Sequence, residues 1–269
     1  TRLDLGSGFL TGNMIQAMNG MIHTDFRLKE LYLDQCYLSE DEEYVAVENF
    51  LAANTPLETF GLRAAGIDAE NAQYIARGLT ANTHLKVLDL RENNAIGTLM
   101  PALKHHQSIT SLDFRGNHAS GTVLEIVGDV LKSNHKIRTL KLSQFEICSV
   151  NNILESLKVN QSLTELEIMF LMTTEDEIPD WKAILSIFEF NKSITKLTFD
   201  EDTMREDHEF ITLIQQFTER NKLEQRTNVT NTLRTIAMIS KSRQFVEKFP
   251  AEIWQNIFKY ISFPGITLD

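Results

Sequence analysis

The residue types that usually carry catalysis or metal binding are few in this chain and poorly spaced for either purpose. His105 and His106 are adjacent, so on a helix their side chains would point about 100° apart and could not form a metal pair. A three-histidine site that adds His118 is the alternative. The spacings of phosphate-binding loops, nucleophile elbows and metalloprotease helices do not occur. We therefore predict that the protein is not an enzyme and holds no cofactor and no metal.

The two cysteines are too few for a disulfide framework or a zinc cluster. Cys36 lies in a segment where the chain pattern predicts a buried turn, so we expect it to pack in the core. A reactive thiol is the alternative, although no neighbour in the sequence would obviously activate the sulfur.

Charged residues are better placed to recognise another molecule. Arg63, Arg91 and Arg115 follow one another at intervals of 28 and 24 residues, and Asp89 and Asp113 each precede an arginine by two positions. A guanidinium binds a carboxylate or phosphate through two parallel hydrogen bonds, which gives specificity. Two hypotheses stay open. The arginines pair with these aspartates as a solvated ladder, or they await acidic groups of a partner.

The composition excludes several classes of protein. The 269 residues carry a formal charge of −11 and 42% of them are hydrophobic, so a folded core is expected rather than disorder. The acidic balance argues against binding to nucleic acids, which needs a basic surface. No apolar run reaches the roughly 18 residues that a membrane helix requires, and no signal peptide opens the chain. We expect a cytoplasmic monomer without a membrane span.

A repeat organises most of the chain. An apolar pair, with one residue between its members, recurs at intervals of 24 to 31 residues. The pairs are Leu3/Leu5, Leu31/Leu33, Phe60/Leu62, Leu88/Leu90, Leu112/Phe114, Leu140/Leu142, Leu166/Ile168 and Leu197/Phe199. From the second pair onward, another aliphatic residue lies three positions earlier. Five of these seven repeats also place an asparagine three positions before that residue: Asn54, Asn82, Asn134, Asn160 and Asn191.

The spacing within each unit predicts its secondary structure. The alternation in each pair is typical of a short strand with one buried and one exposed face. The rest of a unit has the apolar spacing of an amphipathic helix, as in Glu70–Leu79. One unit cannot bury both surfaces alone, so we predict that the units stack into an α/β solenoid with one parallel sheet.

The exposed positions of the strands form the predicted protein-binding site, on the concave face of the sheet. Its predicted members are Tyr32, Asp34, Arg63, Asp89, Arg91, Asp113, Arg115, Lys141, Glu167 and Met169. Tyr32 and Met169 are expected to be apolar anchors beside a charged strip. Arginine and tyrosine are frequent in the energetic centres of protein interfaces, which favours this use of the surface.

The pattern L-x-x-N-x-x-L-x-x-L-x-L resembles that of leucine-rich repeat proteins. A period of about 28 residues with helical halves is similar to their ribonuclease-inhibitor-like class. The resemblance covers residues 1–221 as about eight repeats and implies a right-handed horseshoe with a concave parallel sheet and convex helices. Because terminal repeats of a solenoid need caps, we expect that an amino-terminal cap is missing from this sequence.

Residues 222–269 differ in composition and predict a second region. Residues 1–221 carry a net charge of −14, whereas residues 222–269 carry +3. A helix that begins at Pro250 would place four apolar residues on one stripe: Ile253, Trp254, Ile257 and Phe258. This segment is similar to the opening of an F-box, which implies docking to an adaptor of the ubiquitin machinery. A helical cap over the last repeat is the other hypothesis.

The predicted function is a non-catalytic scaffold that binds a protein partner. Divergent repeats, acidity and an F-box-like fragment together resemble the leucine-rich repeat effectors of intracellular bacteria, including the GALA group. That resemblance implies secretion into the cytosol of a host cell and binding of a host protein. The alternatives are an F-box-type substrate adaptor of a ubiquitin ligase, a GTPase-activating protein and an enzyme inhibitor. The acidic repeats would steer an inhibitor toward a basic enzyme.

Overall fold

Short strands form wherever an apolar residue alternates with an exposed one. The computed structural model describes residues 1–6, 20, 27–38, 40–145, 151–170, 181–199 and 208–240. Within them the strands are β1 (Arg2–Asp4), β2 (Glu30–Tyr32), β3 (Thr59–Gly61), β4 (Val87–Asp89), β5 (Ser111–Phe114), β6 (Thr139–Phe145), β7 (Glu165–Phe170) and β8 (Lys196–Thr198). All eight form one parallel sheet in the order of the sequence.

Helices alternate with these strands. In the described part of the chain they are α1 (Asp41–Ala52), α2 (Ala72–Thr80), α3 (Ile96–Leu103), α4 (Gly121–Ser133), α5 (Asn151–Val159), α6 (Trp181–Phe190) and α7 (His208–Ser240). The chain divides into two compact units, Thr1–Thr218 and Glu219–Asp269, and the first contains the whole sheet. The predicted division at residue 221 stays a prediction.

The register of the sheet aligns the first members of the apolar pairs. Leu31 lies opposite Phe60, Phe60 opposite Leu88, and the alignment continues without a shift to Leu166 and Leu197. The strand residues and the apolar sides of the helices form one continuous core, in which Leu33, Leu62 and Leu90 are buried. The predicted α/β solenoid with its single parallel sheet is confirmed.

Buried asparagines hold the turns that lead from helix to strand. The Asn160 side-chain nitrogen donates to the carbonyls of Leu131 (2.6 Å) and Asn134 (3.1 Å), and its oxygen accepts from the N–H groups of Ser162 and Leu163. The same arrangement recurs at Asn82, Asn134 and Asn191. Each asparagine therefore joins its own turn to the preceding repeat.

Two members of this asparagine position depart from the pattern. Asn54 adopts a left-handed backbone (φ 52°), and its side chain bonds Thr83 and His84 near the surface. In one of the two repeats without an asparagine, His106 occupies the position instead. Its Nδ1 accepts from the N–H groups of Ser108 (3.4 Å) and Ile109 (3.2 Å).

The turns that follow the strands use a second set of polar side chains. The Asn93 oxygen accepts from the N–H groups of Ala65 and Ile67, and its nitrogen donates to the carbonyls of Leu62 and Leu90. One position of this turn adopts a left-handed backbone in four consecutive repeats, at Gln35, Ala64, Glu92 and Gly116. The left-handed residue changes the direction of the chain as it leaves the sheet.

Candidate functional site

The sheet has one face in the core and a second face, here called the open face, that carries polar and charged side chains. Register fixes its middle row as Asp4, Tyr32, Gly61, Asp89, Asp113, Lys141, Glu167 and Thr198. A further row precedes it: Arg2, Glu30, Thr59, Val87, Ser111, Thr139, Glu165 and Lys196. The middle row agrees with the order expected from the sequence.

Arg91 and Arg115 each bind the aspartate that lies two positions earlier in the chain. In Arg91, Nε lies 2.9 Å from Oδ1 of Asp89 and Nη2 lies 2.6 Å from Oδ2. Arg115 binds Asp113 with the same two distances. Both guanidinium groups are thus bound to carboxylates of the same chain. Of the two hypotheses, this geometry favours the one in which the arginines pair with the aspartates as a ladder.

These pairs join into a larger cluster, here called the central network: Asp89, Arg91, Asp113, Arg115, Lys141 and Glu167. Arg91 approaches Asp113 at 3.7 Å, Arg115 binds Glu167 at 3.1 Å, and Lys141 lies 3.6 Å from Glu167. The three carboxylates expose only 10% to 16% of their side-chain area. The ladder is therefore half-buried rather than fully solvated.

Charge in the central network is balanced and fixed. Hydrogen bonding to Asp89 raises the pKa of Arg91 although burial opposes the shift, and Asp113 has the same effect on the pKa of Arg115. Three cations and three carboxylates leave no net charge. One donor group stays unused, because Nη1 of Arg91 makes no hydrogen bond with any described residue.

Arg63 belongs to a separate pair. Its Nε lies 2.9 Å from Oε1 of Glu92, and its Nη2 also contacts that oxygen. The backbone N–H of Arg63 donates to Oδ1 of Asp34 at 3.1 Å. Glu92 was not among the predicted site residues, because only the left-handed turn directs its side chain back toward the preceding repeat.

The first strands form an aromatic and acidic end of the open face. The guanidinium carbon of Arg2 lies 4.5 Å from the centre of the Tyr32 ring, and the Tyr32 hydroxyl donates to Glu30 at 3.4 Å. Burial raises the pKa of Asp34, and the charges of Asp89 and Asp4 add to that rise. At the other end, Met169 is half-buried and lies opposite Ser143.

One link of the central network crosses a strand, and the sequence analysis missed it. Arg115 follows β5 and Glu167 lies on β7, with β6 between them. Neighbouring strands are about 4.8 Å apart, so the two backbones are separated by about 10 Å, which long arginine and glutamate side chains can span. Their places in adjacent rows of the same exposed face were the available signal.

The described residues of the open face offer ion-pairing and hydrogen-bonding groups. The described residues contain no group of three or more His, Cys, Asp and Glu side chains placed to hold a metal ion. Within the same ranges, no helix is both long and apolar enough to cross a membrane. The proposed adaptor-docking residues, Pro250 to Phe258, lie outside the described part of the chain.

Comparisons with known proteins add three findings. A family model described as Leucine Rich repeat matches residues 81–98. Among solved structures, Leiomodin-1 Actin-Binding Site 2 is similar with a TM-score of 0.43 and 17% identity, covering 74% of this chain and 99% of that one. The tropomodulin C-terminal domain of Caenorhabditis elegans gives a TM-score of 0.33 and 14% identity, covering 81% of this chain and 98% of that one.

The class of fold follows from the coordinates and the matched repeat together. Eight parallel strands lie in sequence order, helices alternate with them, and residues 81–98 include the buried asparagine and the strand of one unit. The sheet-bearing unit is an α/β solenoid with a single parallel sheet, and one of its units matches the leucine-rich repeat model.

Proposed function

We propose that this protein is a non-catalytic interaction module that binds a protein partner on the open face of its sheet. The observation that carries the proposal is the central network. The apolar core of the repeats contains none of these charges, whereas half-burying six charges costs desolvation free energy that ion pairing rarely exceeds. Such a network is better explained by recognition, where fixed charges supply specificity.

The network is suited to recognition because its side chains are already ordered. The guanidinium groups of Arg91 and Arg115 are each held by two hydrogen bonds to an aspartate. These side chains therefore lose little conformational freedom when a partner binds. The free Nη1 of Arg91 can donate to a carbonyl or carboxylate of the partner. The middle part of the adjacent row is uncharged and consists of Thr59, Val87, Ser111 and Thr139. These side chains are half-buried, so a protein surface can approach them closely.

The narrower functions stay predictions. Delivery as a bacterial effector into a host cell depends on family resemblance, and the F-box-type adaptor depends on Pro250, Ile253, Trp254, Ile257 and Phe258, which the structure does not describe. The GTPase-activating and enzyme-inhibitor alternatives would use the same open face. A steep loss of affinity with salt would favour inhibition of a basic enzyme.

The test is affinity capture from cell lysate with two variants of matched charge. Ser111→Lys/Thr139→Lys places two long side chains on the open face beside the central network. Glu125→Gln/Asp129→Asn changes the net charge equally but alters exposed residues of helix α4. Urea unfolding of both variants checks that the fold is kept.

We expect proteins retained by the wild type and by the α4 variant to be lost from the open-face variant. Each candidate is then purified, and its binding is measured directly. If every candidate binds all three proteins with equal affinity, or only the α4 variant fails, the open face is not the binding surface.

A further inference from the structure

The charges of the open face are not evenly neutralised. Most described charged side chains on it have an ionic partner: Arg2 with Asp4, Arg63 with Glu92, Lys196 with Glu165, and the members of the central network with one another. Glu30 and Asp34 are the exceptions, since neither has an ion pair in the described part of the chain. Both belong to the same repeat and flank Tyr32.

Two glycines, Gly61 on β3 and Gly6 after β1, leave room for Tyr32 and Asp34. A Cβ atom at Gly61 would lie 2.6 Å from Cδ1 of Tyr32 and 3.1 Å from Oδ1 of Asp34. On the other side, a Cβ at Gly6 would lie 3.2 Å from the backbone oxygen of Asp34. Tyr32 and the Asp34 carboxylate therefore both approach Gly61, at a place that a larger residue would obstruct.

A cation already binds at one side of this group, and it comes from the chain itself. The Arg2 guanidinium lies over the Tyr32 ring at 4.5 Å, while its own ion pair with Asp4 is exposed and 3.3 Å long. An aromatic face attracts cations through its quadrupole. Burial, Asp89 and Asp4 raise the pKa of Asp34 more than the Arg63 N–H and the Arg91 charge lower it, so a further positive charge would stabilise its carboxylate.

We propose that Glu30, Tyr32 and Asp34 form a docking site for an arginine or lysine side chain of a basic segment in the protein partner. The inference rests on the proposed function and names the chemistry of the partner. The incoming cation lies over the Tyr32 ring, and binding involves no proton transfer. It donates hydrogen bonds to the two carboxylates and displaces Arg2 from the ring.

The probe is a fluorescein-labelled peptide of alternating glycine and arginine, titrated by anisotropy at low and at moderate salt. Because the protein is acidic, the peptide also binds weakly at other places, so charge-matched variants are essential. Glu30→Gln/Asp34→Asn is compared with Glu125→Gln/Asp129→Asn. Arg2→Ala is compared with Lys182→Ala, which removes an exposed cation from helix α6.

Loss of two charged hydrogen bonds should weaken the peptide about tenfold in the β2 variant, against less than about twofold in the α4 variant. Arg2→Ala should tighten binding about two- to fivefold because the ring is freed, and Lys182→Ala should not. Equal weakening by both double variants, or no tightening by Arg2→Ala, would overturn the proposal.

Binding of the captured partner to two of the variants distinguishes the two proposals. If Ser111→Lys/Thr139→Lys abolishes partner binding and Glu30→Gln/Asp34→Asn leaves it intact, the open face binds the partner but the basic-segment site is refuted. If neither variant changes partner binding, the proposed function itself fails.

Discussion

His106 is the residue at which this chain departs most sharply from its own repeat. It occupies the position of the buried asparagines and is 7% exposed. Nδ1 accepts two backbone N–H groups and must therefore be unprotonated, which places the ring proton on Nε2. Nε2 is buried and makes no hydrogen bond with a described residue. The backbone groups of Leu79 and Asn82 raise the pKa of His106, but less than burial lowers it.

Protonation of His106 would disrupt its turn, since a proton on Nδ1 would face two N–H donors. Burial lowers the pKa of His106 from its ordinary value of 6.5, and no charged group among the described residues contributes to the shift. The unfolded chain therefore takes up the proton first as the pH falls. We predict that the free energy of unfolding decreases below about pH 6.5, by up to about 1.4 kcal/mol per pH unit.

Urea unfolding at about pH 7.5 and about pH 5.5 tests this prediction. His106→Asn restores the side chain used by the other repeats and should lose the acid-dependent part of the destabilisation. His135→Asn, at an exposed histidine, should keep it. Wild type and His106→Asn with the same pH dependence would show that the histidine does not titrate on unfolding.

At this scale, the sequence predicted most of the polar positions but not all of their roles. The asparagine spacing identified Asn82, Asn134, Asn160 and Asn191, because a buried amide can satisfy three or four backbone groups at once. His106 falls in the same column, three positions before Ile109, yet it was considered only as a metal ligand. Asn54 is only half-buried and has a left-handed backbone, which spacing does not reveal.

Helices α1 and α2 pack so closely that a glycine is required between them. A Cβ atom at Gly78 would lie 2.8 Å from the carbonyl oxygen of Glu48 and 2.9 Å from Cβ of Leu51. The nearest atom belongs to the backbone of α1, so it cannot rotate away. Nearby, the Tyr44 and Tyr74 rings stack at 5.8 Å, and Arg77 pairs with Glu48.

We predict that Gly78→Ala lowers the free energy of unfolding by about 1–2 kcal/mol. Two effects compete, because alanine favours a helix over glycine by about 1 kcal/mol, whereas overpacking costs about 1–3 kcal/mol. The backbone contact decides the sign. Urea denaturation provides the measurement.

Gly97→Ala in helix α3 is the matched control for the packing of helices. Its Cβ would lie 3.3 Å from a methyl group of Val123, a side chain that can move slightly. This variant should therefore be neutral or slightly stabilised. Gly78→Ala at least as stable as the wild type would show that α1 and α2 separate at little cost.

The elements themselves followed well from the sequence. The apolar pairs predicted every strand, because alternation has one interpretation when the register is shared by all repeats. The residues beyond the strands were harder to place. A left-handed residue such as Glu92 redirects the side chain, and that choice depends on the packing of the next repeat rather than on local spacing.

For the whole molecule, the apolar core that holds the repeats together is distinct from the open face that we propose to bind a partner. The apolar core is continuous across the sheet-bearing unit and includes none of the charged residues. The open face carries an ordered set of ion pairs, and beside Tyr32 it carries two carboxylates, Glu30 and Asp34, that form no ion pair within the described ranges. The sequence predicted the members of this face, but their pairing depends on side-chain reach across strands.

Site-specific photo-crosslinking to the captured partner tests the central proposal most directly. A photoreactive phenylalanine analogue replaces Thr139 on the open face in one protein and Glu125 on helix α4 in another. The account predicts a covalent adduct with the partner from position 139 and none from position 125. An adduct from position 125 alone would show that the partner binds the helices and that the open face is not its site.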